Sequence, residues 1–531
     1  MQRDRLLGSA GLAATSAVLF ALTFPPTRWT ILSWFALAPL FLAVRRAGLA
    51  QALFVTWLWC VVGACVAGDW FPRAVADYFH QPMWVALALF IAVFTLMAGP
   101  YLMAFAAAYR GLARRLGPLA LPFFAAAAWA AAELGRGRLF TGTPFFIGNP
   151  WALAGYAHAQ NLPLAQIASV TGIYGVSFAV ASANAGVAEG WLAWRGRERS
   201  LRAVIAPGLL SLFPALAFVA HGYAVLGRPA PGADAPATAI AIAQGNLAVG
   251  TQWRSDFYGR NLDVYLELTD AAATEGHPDI VFWPESAMTF FLEDEPPYRK
   301  AIASVTRPRG IELVVGGPRT DGAQPEPRYF NSVFVLESDG EIRGRYDKQY
   351  LVPFAEYFPL QIDVMRRRFG SVRVFEPGSE NAPLATRAGS AGILVCNEVM
   401  LPEVASERVA RGAVYLVNPS NDTWIGDPKY TEQQFDIARL RAIEQRRYLV
   451  RASTAGPSAV VDPLGRVLAR SNPLQREFVR GEVRPVTERS IYGRIGDSFG
   501  LLCALAVAAA FVMPASASGG AAGQRGGSRP R

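Results

Sequence analysis

Apolar residues are gathered into long stretches in the first part of the chain, separated by short polar segments. Seven such stretches lie within residues 1–226, and an eighth lies near the end of the chain. A helix needs roughly 20 apolar residues to cross a bilayer, and most of the stretches approach or exceed that length. The pattern predicts seven transmembrane helices in 1–226 and an eighth in 496–515. The stretches are 6–24, 29–44, 52–67, 84–109, 117–132, 164–194, 203–226 and 499–515.

Arginines beside the stretches predict how the helices are oriented. With eight spans, the termini and short loops on one side carry fourteen arginines, whereas those on the other side carry four. Basic residues near span ends stay in the cytoplasm, so we expect both termini there and segment 227–495 on the extracytoplasmic side. The first stretch follows two arginines as in a signal peptide. Pro25 and Pro26 stand where small residues would precede a cleavage site, which favours an uncleaved helix.

Residues 227–495 have a different pattern, in which short β-branched runs alternate with amphipathic segments. The runs 238–243, 279–283, 312–315, 332–336, 392–395 and 413–417 are typical of buried strands, and segments 256–273, 404–411 and 431–447 of helices. Strands that alternate with helices over this length predict one layered α/β domain with its own core. The tail 516–531, rich in Gly, Ser and Arg, is expected to be disordered.

The composition fits a membrane protein, since 52% of the residues are hydrophobic and only 17% are charged. The net charge of +9 comes from arginines that mostly flank apolar stretches, and no segment gathers them with aromatic residues as nucleic-acid binding requires. The four cysteines and four histidines show no zinc-ligand spacing, and the sequence contains no phosphate-binding glycine loop. We therefore expect no nucleic-acid partner and no metal or other cofactor.

Three segments of the α/β domain carry an unusual reactive side chain, and two of these residues end an apolar run. Glu285 follows the run 279–283, and Cys396 follows the run 392–395. Lys348, one of three lysines in the chain, lies between them among aromatic residues and prolines. A carboxylate whose pKa is raised by apolar neighbours can take a proton from a thiol. A nearby ammonium group favours the thiolate and stabilises an oxyanion.

Each of these residues also has an ordinary alternative. A free cysteine is most often a buried core residue, and a single glutamate or lysine is most often a solvated surface charge. An unpaired cysteine such as Cys396 in an oxidising compartment favours a functional thiol instead. His277 is the only histidine of the domain, so a Cys–His pair remains an alternative to the carboxylate.

Longer motifs surround the three residues, which occur in the order Glu, Lys, Cys. The motifs are Gln244-Gly-Asn246 followed by Trp253, Trp283-Pro-Glu285-Ser, Tyr329-Phe-Asn331-Ser, Lys348 with Leu351-Val-Pro-Phe-Ala-Glu356-Tyr, and Ser420-Asn-Asp-Thr-Trp424, with Phe24-Pro-Pro, Leu37-Ala-Pro39, Thr141-Gly-Thr-Pro144 and Thr171-Gly-Ile-Tyr-Gly175 among the apolar stretches. Together they resemble the nitrilase superfamily over residues 237–483. The membrane motifs extend the resemblance to one branch, the apolipoprotein N-acyltransferase family. This resemblance implies a multi-span helical membrane domain joined to a nitrilase-like α/β domain, an αββα sandwich.

The resemblance also implies roles for the reactive residues. Cys396 is implied as the nucleophile, Glu285 as the general base, Lys348 as the support of the oxyanion and Glu356 as a further essential carboxylate. In the implied reaction, Cys396 takes an acyl chain from a membrane phospholipid and holds it as a thioester. The α-amine of a diacylglyceryl-cysteine at the N-terminus of an apolipoprotein then takes the acyl chain. The implied location is the bacterial inner membrane.

Further residues of the motifs are expected to support the site or contact the substrate. They are Asn331, Glu398, Trp253 and Trp424. For the two tryptophans, lining an acyl pocket and packing a core remain equal alternatives. The sequence departs from the family at Asn397, where an aromatic residue is usual, and at 425–430, where relatives commonly hold a proline and histidines. The effect of Asn397 and of the segment Asp427-Pro428-Lys429 is left open.

Other functions remain as alternatives. A membrane-bound amidase or ester hydrolase would pass the acyl group to water, and a divergent paralogue would use another amine acceptor. A transporter or receptor would use the domain only for binding, although the apolar stretches contain few ionisable residues. Among the membrane residues, Glu133 and Arg136 are expected to reach the interface from a span end, and Trp70, Trp84 and Trp151 to be interfacial residues rather than substrate contacts. A monomer is expected.

Overall fold

The chain has a helical part and a domain of two β-sheets. The structure is a computed structural model, and it describes residues 2–78, 80–139, 149–196, 200–247, 258–322, 327–353, 355–357 and 374–513. Trp253, the motif 141–144 and the tail 516–531 lie outside the described residues, so the expectations for them remain predictions.

The helical part before the sheets contains twelve α-helices among the described residues. In chain order they are α1 (Gln2–Ala21), α2 (Ala38–Arg46), α3 (Leu49–Ala67), α4 (Trp70–Tyr78), α5 (Met83–Met97), α6 (Gly99–Leu112), α7 (Leu121–Arg138), α8 (Leu162–Ala165), α9 (Ala168–Thr171), α10 (Ile173–Arg195), α11 (Leu201–Ser211) and α12 (Phe213–Leu226). Among the described residues, α3 and the continuous pair α11–α12 are long and apolar enough to cross a membrane. Two further spans result if the bent pairs α5–α6 and α8–α10 each count as one. The total of eight spans remains a prediction.

The apolar stretch 29–44 is not one helix. A 3-10 turn, Thr30–Trp34, precedes α2, whose nine residues are only ~14 Å long. Asn184 of α10 satisfies the backbone at the break. Its Oδ1 accepts from the N–H groups of Leu37 and Ala38 at 2.7 and 3.0 Å, and its Nδ2 donates to the carbonyl of Ser33 at 2.7 Å. An interrupted helix in apolar surroundings needs such a partner for its free backbone groups.

Two pairs of membrane residues differ from their expected placement at the interface. Glu133 and Arg136 of α7 are buried. Glu133 Oε1 accepts from the Ala154 N–H at 2.8 Å, and Arg136 donates to the Trp151 carbonyl at 2.9 Å. Trp70 and Trp151 are themselves buried, whereas Trp84 is 73% exposed. The expectation of interfacial positions is therefore wrong for Glu133, Arg136, Trp70 and Trp151, because other parts of the chain cover them.

The strands form two six-stranded sheets among the described residues. They are β1 (Thr238–Gln244), β2 (Ile280–Phe282), β3 (Glu312–Thr320), β4 (Tyr329–Leu336), β5 (Ile342–Asp347), β6 (Leu384–Thr386), β7 (Gly389–Ile393), β8 (Tyr415–Ser420), β9 (Leu449–Ser453), β10 (Ala459–Val461), β11 (Val467–Arg470) and β12 (Glu477–Val483). The first sheet has the order β12-β1-β2-β3-β4-β5, and the second has the order β11-β10-β9-β8-β7-β6. Strands β1, β2 and β3 are parallel, as are β7, β8 and β9.

Helices cover the outer face of each sheet. They are α13 (Tyr258–Gly276) and α14 (Pro296–Thr306) on the first sheet, and α15 (Pro402–Ala410) and α16 (Pro428–Gln445) on the second, followed by α17 (Ile491–Ile495) and the apolar α18 (Ser498–Val512). One apolar core lies between the sheets, where Ile242 and Val450 belong to one buried cluster. A further apolar core lies between the first sheet and its helices, and another lies between the second sheet and its helices. The predicted αββα sandwich is confirmed.

Helix α16 joins the sandwich to the helical part. Its residues Ile437, Leu440 and Ile443 belong to the same buried apolar cluster as residues of α7 and α10. Near the N-terminus of α16 the contact is ionic: Lys429 Nζ lies 2.7 Å from an Asp69 carboxylate oxygen. The helix is therefore buried on two sides, against the second sheet and against the helical part, and it fixes the position of one relative to the other.

Candidate active site

Glu285 follows β2, which lies between two parallel neighbours. Binding sites in parallel sheets form at the carboxyl ends of the strands. Trp283 just before it is buried, and its indole N–H donates to Thr269 Oγ1 at 3.0 Å. Gly316 of β3 lies against the turn, where a Cβ atom would be 2.6 Å from the Pro284 carbonyl oxygen and 2.7 Å from Glu285 Cα. The missing side chain at Gly316 lets Glu285 lie close against β3.

Groups from both sheets bind the Glu285 carboxylate. Its Oε1 accepts from Asn331 Nδ2 at 2.7 Å and from Lys348 Nζ at 3.4 Å. Its Oε2 accepts from the backbone N–H of Asn421 at 2.8 Å. Asn331 lies in β4 of the first sheet, whereas Asn421 directly follows β8 of the second. The carboxylate therefore bridges the two sheets at this end of the sandwich.

Lys348 is shared by two buried carboxylates. It directly follows β5, and its Nζ lies 2.8 Å from Glu356 Oε2 and 3.4 Å from Glu285 Oε1. Glu356 is held in turn by the Val352 N–H at 2.7 Å and by Asn331 Nδ2 at 2.8 Å. One ammonium group and one amide thus bind both carboxylates, which accounts for the predicted importance of Asn331 and Glu356.

Cys396 is held in a strained turn after β7. Its φ is +49°, a left-handed conformation that costs a residue other than glycine roughly 1–2 kcal/mol. Asn418 of β8 steadies the turn by donating Nδ2 to the carbonyls of Leu394 and Cys396 at 2.6 and 3.3 Å. Arg451 in turn donates to Asn418 Oδ1. A side-chain network therefore holds the nucleophile's backbone in a conformation that it would not adopt by itself.

Glu398 ties the Cys396 turn to the segment that carries Lys348. It is fully buried, and its Oε2 accepts from the Val395 N–H at 2.7 Å. Its Oε1 accepts from the Tyr346 hydroxyl at 2.8 Å and from the Gln349 N–H at 2.8 Å. Its contacts are therefore with the backbone of both segments and with Tyr346, so Glu398 positions the nucleophile relative to the lysine.

Burial and mutual charge set the protonation states of the site. Desolvation, and the charge of Glu285 after it, raise the pKa of the Cys396 thiol to about 12. Desolvation raises the pKa of Glu285 as well; Lys348 opposes the shift and Glu356 adds to it. Burial disfavours the charge of Lys348, but Glu356 and Glu285 outweigh it and hold the lysine pKa above its ordinary value. At neutral pH the thiol is therefore protonated and the lysine charged, and a carboxylate with raised basicity lies within electrostatic reach of both.

The other sequence candidates that the structure describes are Trp424, Asn397 and the segment 427–429. Trp424 is partly buried, with its ring centroid 6.5 Å from that of Tyr430. Asn397 donates to the Tyr350 carbonyl at 3.1 Å. In the segment 427–429, Asp427 caps α16 and pairs with Arg73 of α4 at 2.8 Å. That segment therefore contacts the helical part.

Sequence reasoning missed Asn418, Asn421 and Tyr430. Asn418 and Asn421 act through backbone contacts between strands, which no local pattern reveals. Asn421 does lie inside the motif that ends on Trp424, and that motif was the available signal. Tyr430 is buried and lies on α16, which packs against the turn that begins at Cys396.

An αββα sandwich that presents a thiol, a lysine and a carboxylate at its strand ends, beside apolar helices, defines a membrane-associated enzyme of the carbon–nitrogen hydrolase type. Residues 239–491 match the family model "Carbon-nitrogen hydrolase", and residues 16–186 match "Apolipoprotein N-acyltransferase N-terminal domain". A carbon-nitrogen hydrolase from Helicobacter pylori G27, among solved structures, is 20% identical, covers 50% of this chain and 94% of its own, and has a TM-score of 0.37.

Named relatives match the chain almost from end to end. The apolipoprotein N-acyltransferase of Geobacter metallireducens is 34% identical over 95% of this chain and 94% of its own. Those of Azotobacter vinelandii and Pseudomonas aeruginosa PAO1 are 32% and 31% identical, over about nine tenths of both chains in each case. The chain belongs to the apolipoprotein N-acyltransferase family.

Two neighbours of Glu285 act on its pKa in opposite directions, so removing them should shift the pH dependence of Cys396 acylation in opposite directions. If Glu285 acts as the base, the rate of Cys396 acylation rises with pH as Glu285 loses its proton. Glu356→Gln removes a negative charge that raises the Glu285 pKa, so the acidic limb should move to lower pH. Asn331→Leu removes a hydrogen bond that lowers this pKa, so the limb should move to higher pH. The test measures the rate of Cys396 acylation against pH for the wild type and both variants, with each curve normalised to its own plateau. Acidic limbs at the same pH in all three proteins would contradict the prediction.

Proposed function

We propose that the chain transfers an acyl chain from a membrane phospholipid to the N-terminal diacylglyceryl-cysteine of an apolipoprotein, through a thioester on Cys396. One observation carries the proposal: Lys348 is buried between Glu285 and Glu356 within electrostatic reach of a buried thiol. Family membership over both the helical part and the sandwich supports the choice of substrates, because a soluble hydrolase would not require the helical part.

The first step forms the thioester. Glu285 takes the proton of the Cys396 thiol as the sulfur attacks the ester carbonyl of the phospholipid. Lys348 remains protonated and stabilises the oxyanion of the tetrahedral intermediate. When the intermediate collapses, the C–O ester bond breaks, and Glu285 gives its proton to the departing lysophospholipid oxygen. The carboxylate is then ready to accept a proton again.

The second step releases the acyl chain to the amine. The neutral α-amine of the acceptor attacks the thioester carbonyl, Glu285 takes a proton from the nitrogen, and the C–S bond breaks. The departing sulfur regains the proton, so the thiol returns and an amide has formed. Glu285 carries every proton in both steps, so the proposed chemistry requires no cofactor.

Burial favours the amine over water as the acceptor. Cys396, Glu285 and Lys348 are each at most 5% exposed. An occupied acyl site of this kind excludes bulk water and protects a thioester from hydrolysis. The described residues of one chain supply every proposed catalytic group, which supports a monomer.

We also propose that the chain crosses the bacterial inner membrane eight times, with both termini in the cytoplasm and domain 227–495 outside. The arginine distribution supports this orientation. Helix α18, after the sandwich, supplies an apolar segment that returns the chain to the membrane. An outward-facing site would meet both lipid-anchored substrates at the membrane surface.

Labelling of single cysteines tests the orientation. In spheroplasts, a membrane-impermeant maleimide should label Asp339→Cys, an exposed position of the sandwich. It should label Arg114→Cys, an exposed position after α6, only after the membrane is made permeable. Both variants are made in a background without the four native cysteines. The reverse pattern would overturn the proposed orientation.

Intact-mass measurement tests the proposed chemistry. The purified full-length protein, incubated with phosphatidylethanolamine in mixed micelles, should gain one acyl group. Cys396→Ala should gain none, and Cys396→Ser should react far more slowly because an alcohol is a weaker nucleophile than a thiol. Cys65→Ala, which removes a thiol of α3, is the matched control and should acylate normally.

A diacylated lipopeptide then distinguishes transfer from hydrolysis. Its addition should remove the acyl group from Cys396 and yield a triacylated peptide. Loss of the acyl group at the same rate without the peptide would instead favour the membrane-bound hydrolase. An acyl adduct on Cys396→Ala would exclude Cys396 as the nucleophile.

A further inference from the structure

Gln433 of α16 binds two tryptophans of the helical part at once. Its Oε1 accepts from the indole N–H of Trp70 at 3.2 Å and from that of Trp151 at 3.0 Å. Its Nε2 donates to the carbonyl of Ala67 at 2.9 Å. The amide is almost fully buried, and all its contacts here are with the helical part, although the helix itself belongs to the sandwich domain. This side chain therefore fixes the distance between the two parts at one point.

The same two tryptophans enclose Tyr430, which precedes Gln433 by three residues and so lies on the same face of α16. The Tyr430 ring centroid lies 4.7 Å from that of Trp70. It lies 5.5 Å from that of Trp151, with the ring planes 5° apart. We call Trp70, Trp151 and Tyr430 the aromatic wall. Helix α16, which carries Tyr430, packs against the turn that begins at Cys396, so this wall lies near the nucleophile.

The helical part holds its own share of the wall independently of Gln433. Trp70 begins α4, and the segment that carries Trp151 is bound by Glu133 and Arg136 of α7. Tyr430, by contrast, belongs to the catalytic domain. The wall is thus assembled from two domains, and its geometry beside Cys396 depends on their mutual position.

We infer that Gln433 is a positioning residue for the use of phospholipid, an inference that rests on the proposed function. A phospholipid comes from the side of the helical part, so its acyl chain must pass the contact between the two domains to reach Cys396. Two indole donors on one carbonyl oxygen restrain both the distance and the angle of the tryptophans relative to Tyr430. Gln433 therefore keeps the aromatic wall in the arrangement that admits the acyl chain, without touching the reacting atoms.

Gln433→Met tests the inference because methionine fills a similar volume and makes none of the three hydrogen bonds. The half-saturating mole fraction of phosphatidylethanolamine for Cys396 acylation should rise about tenfold, as expected for the loss of three hydrogen bonds. The rate at which iodoacetamide alkylates Cys396 should stay within about twofold of the wild-type rate, because the groups that bind Glu285 and Lys348 are unchanged. Gln433→Glu keeps an acceptor for both indoles but loses the donor to the Ala67 carbonyl, so it should recover part of the lipid affinity. It also gives a second variant if Gln433→Met fails to fold.

Gln445→Met is the matched control. Gln445 is a buried glutamine of the same helix, but it donates to Ser406 inside the sandwich domain. This variant should leave the half-saturating mole fraction unchanged. Three outcomes would each overturn the inference. Gln445→Met and Gln433→Met could lose lipid affinity equally, or Gln433→Met could lose its rate of alkylation in parallel with its lipid affinity. Gln433→Met could also use the lipid as well as the wild type does. A wild-type protein that forms no acyl adduct would instead contradict the proposed function.

Discussion

The site depends on one buried ammonium group that is shared by two carboxylates. Lys348 lies 2.8 Å from Glu356 and 3.4 Å from Glu285, and all three side chains are largely removed from water. Desolvation raises the pKa of Glu285; the charge of Lys348 opposes this rise and the charge of Glu356 adds to it. Burial disfavours the charged form of Lys348, but the two carboxylates outweigh that cost and the lysine keeps its proton. One arrangement thus supplies a base and an oxyanion support, and removing Lys348 would leave two buried carboxylates without a counter-charge.

The surrounding structure brings these groups together from distant parts of the chain. Glu285 and Cys396 follow parallel strands of different sheets, so only the stacking of the sheets makes them neighbours. Asn421 and Glu398 fix that stacking at the site, because each binds across segments. Helix α16 then packs the sandwich against the helical part, the side from which the proposed lipid donor arrives. The fold therefore links a site for acyl chemistry to apolar helices through one buried helix.

The alternation of strands and helices was sufficient to predict a layered α/β domain, whereas the αββα sandwich and the proposed triad were implied by the family resemblance of longer motifs. The apolar runs that precede Glu285 and Cys396 are visible in the sequence itself, but the residues alone left ordinary alternatives open for both. Signals that depend on distant contacts were not visible. Asn184 satisfies a helix break 150 residues away, so the stretch 29–44 appeared to be continuous. Trp70 and Trp151 have the sequence context of interfacial tryptophans, but distant parts of the chain, α16 among them, bury both.

The central claim is that Glu285 acts as a base toward Cys396 and not merely as a neighbouring charge, and the pH dependence of Cys396 alkylation tests it most directly. As a charge alone, Glu285 raises the pKa of the thiol, so Glu285→Gln would lower that pKa and accelerate alkylation by iodoacetamide at neutral pH. As a base, Glu285 removes the proton during attack, so Glu285→Gln should slow alkylation by about a hundredfold or more at neutral pH. The account predicts the slower reaction, with a rate that recovers only at alkaline pH. A rate at pH 7 equal to or above that of the wild type would contradict it.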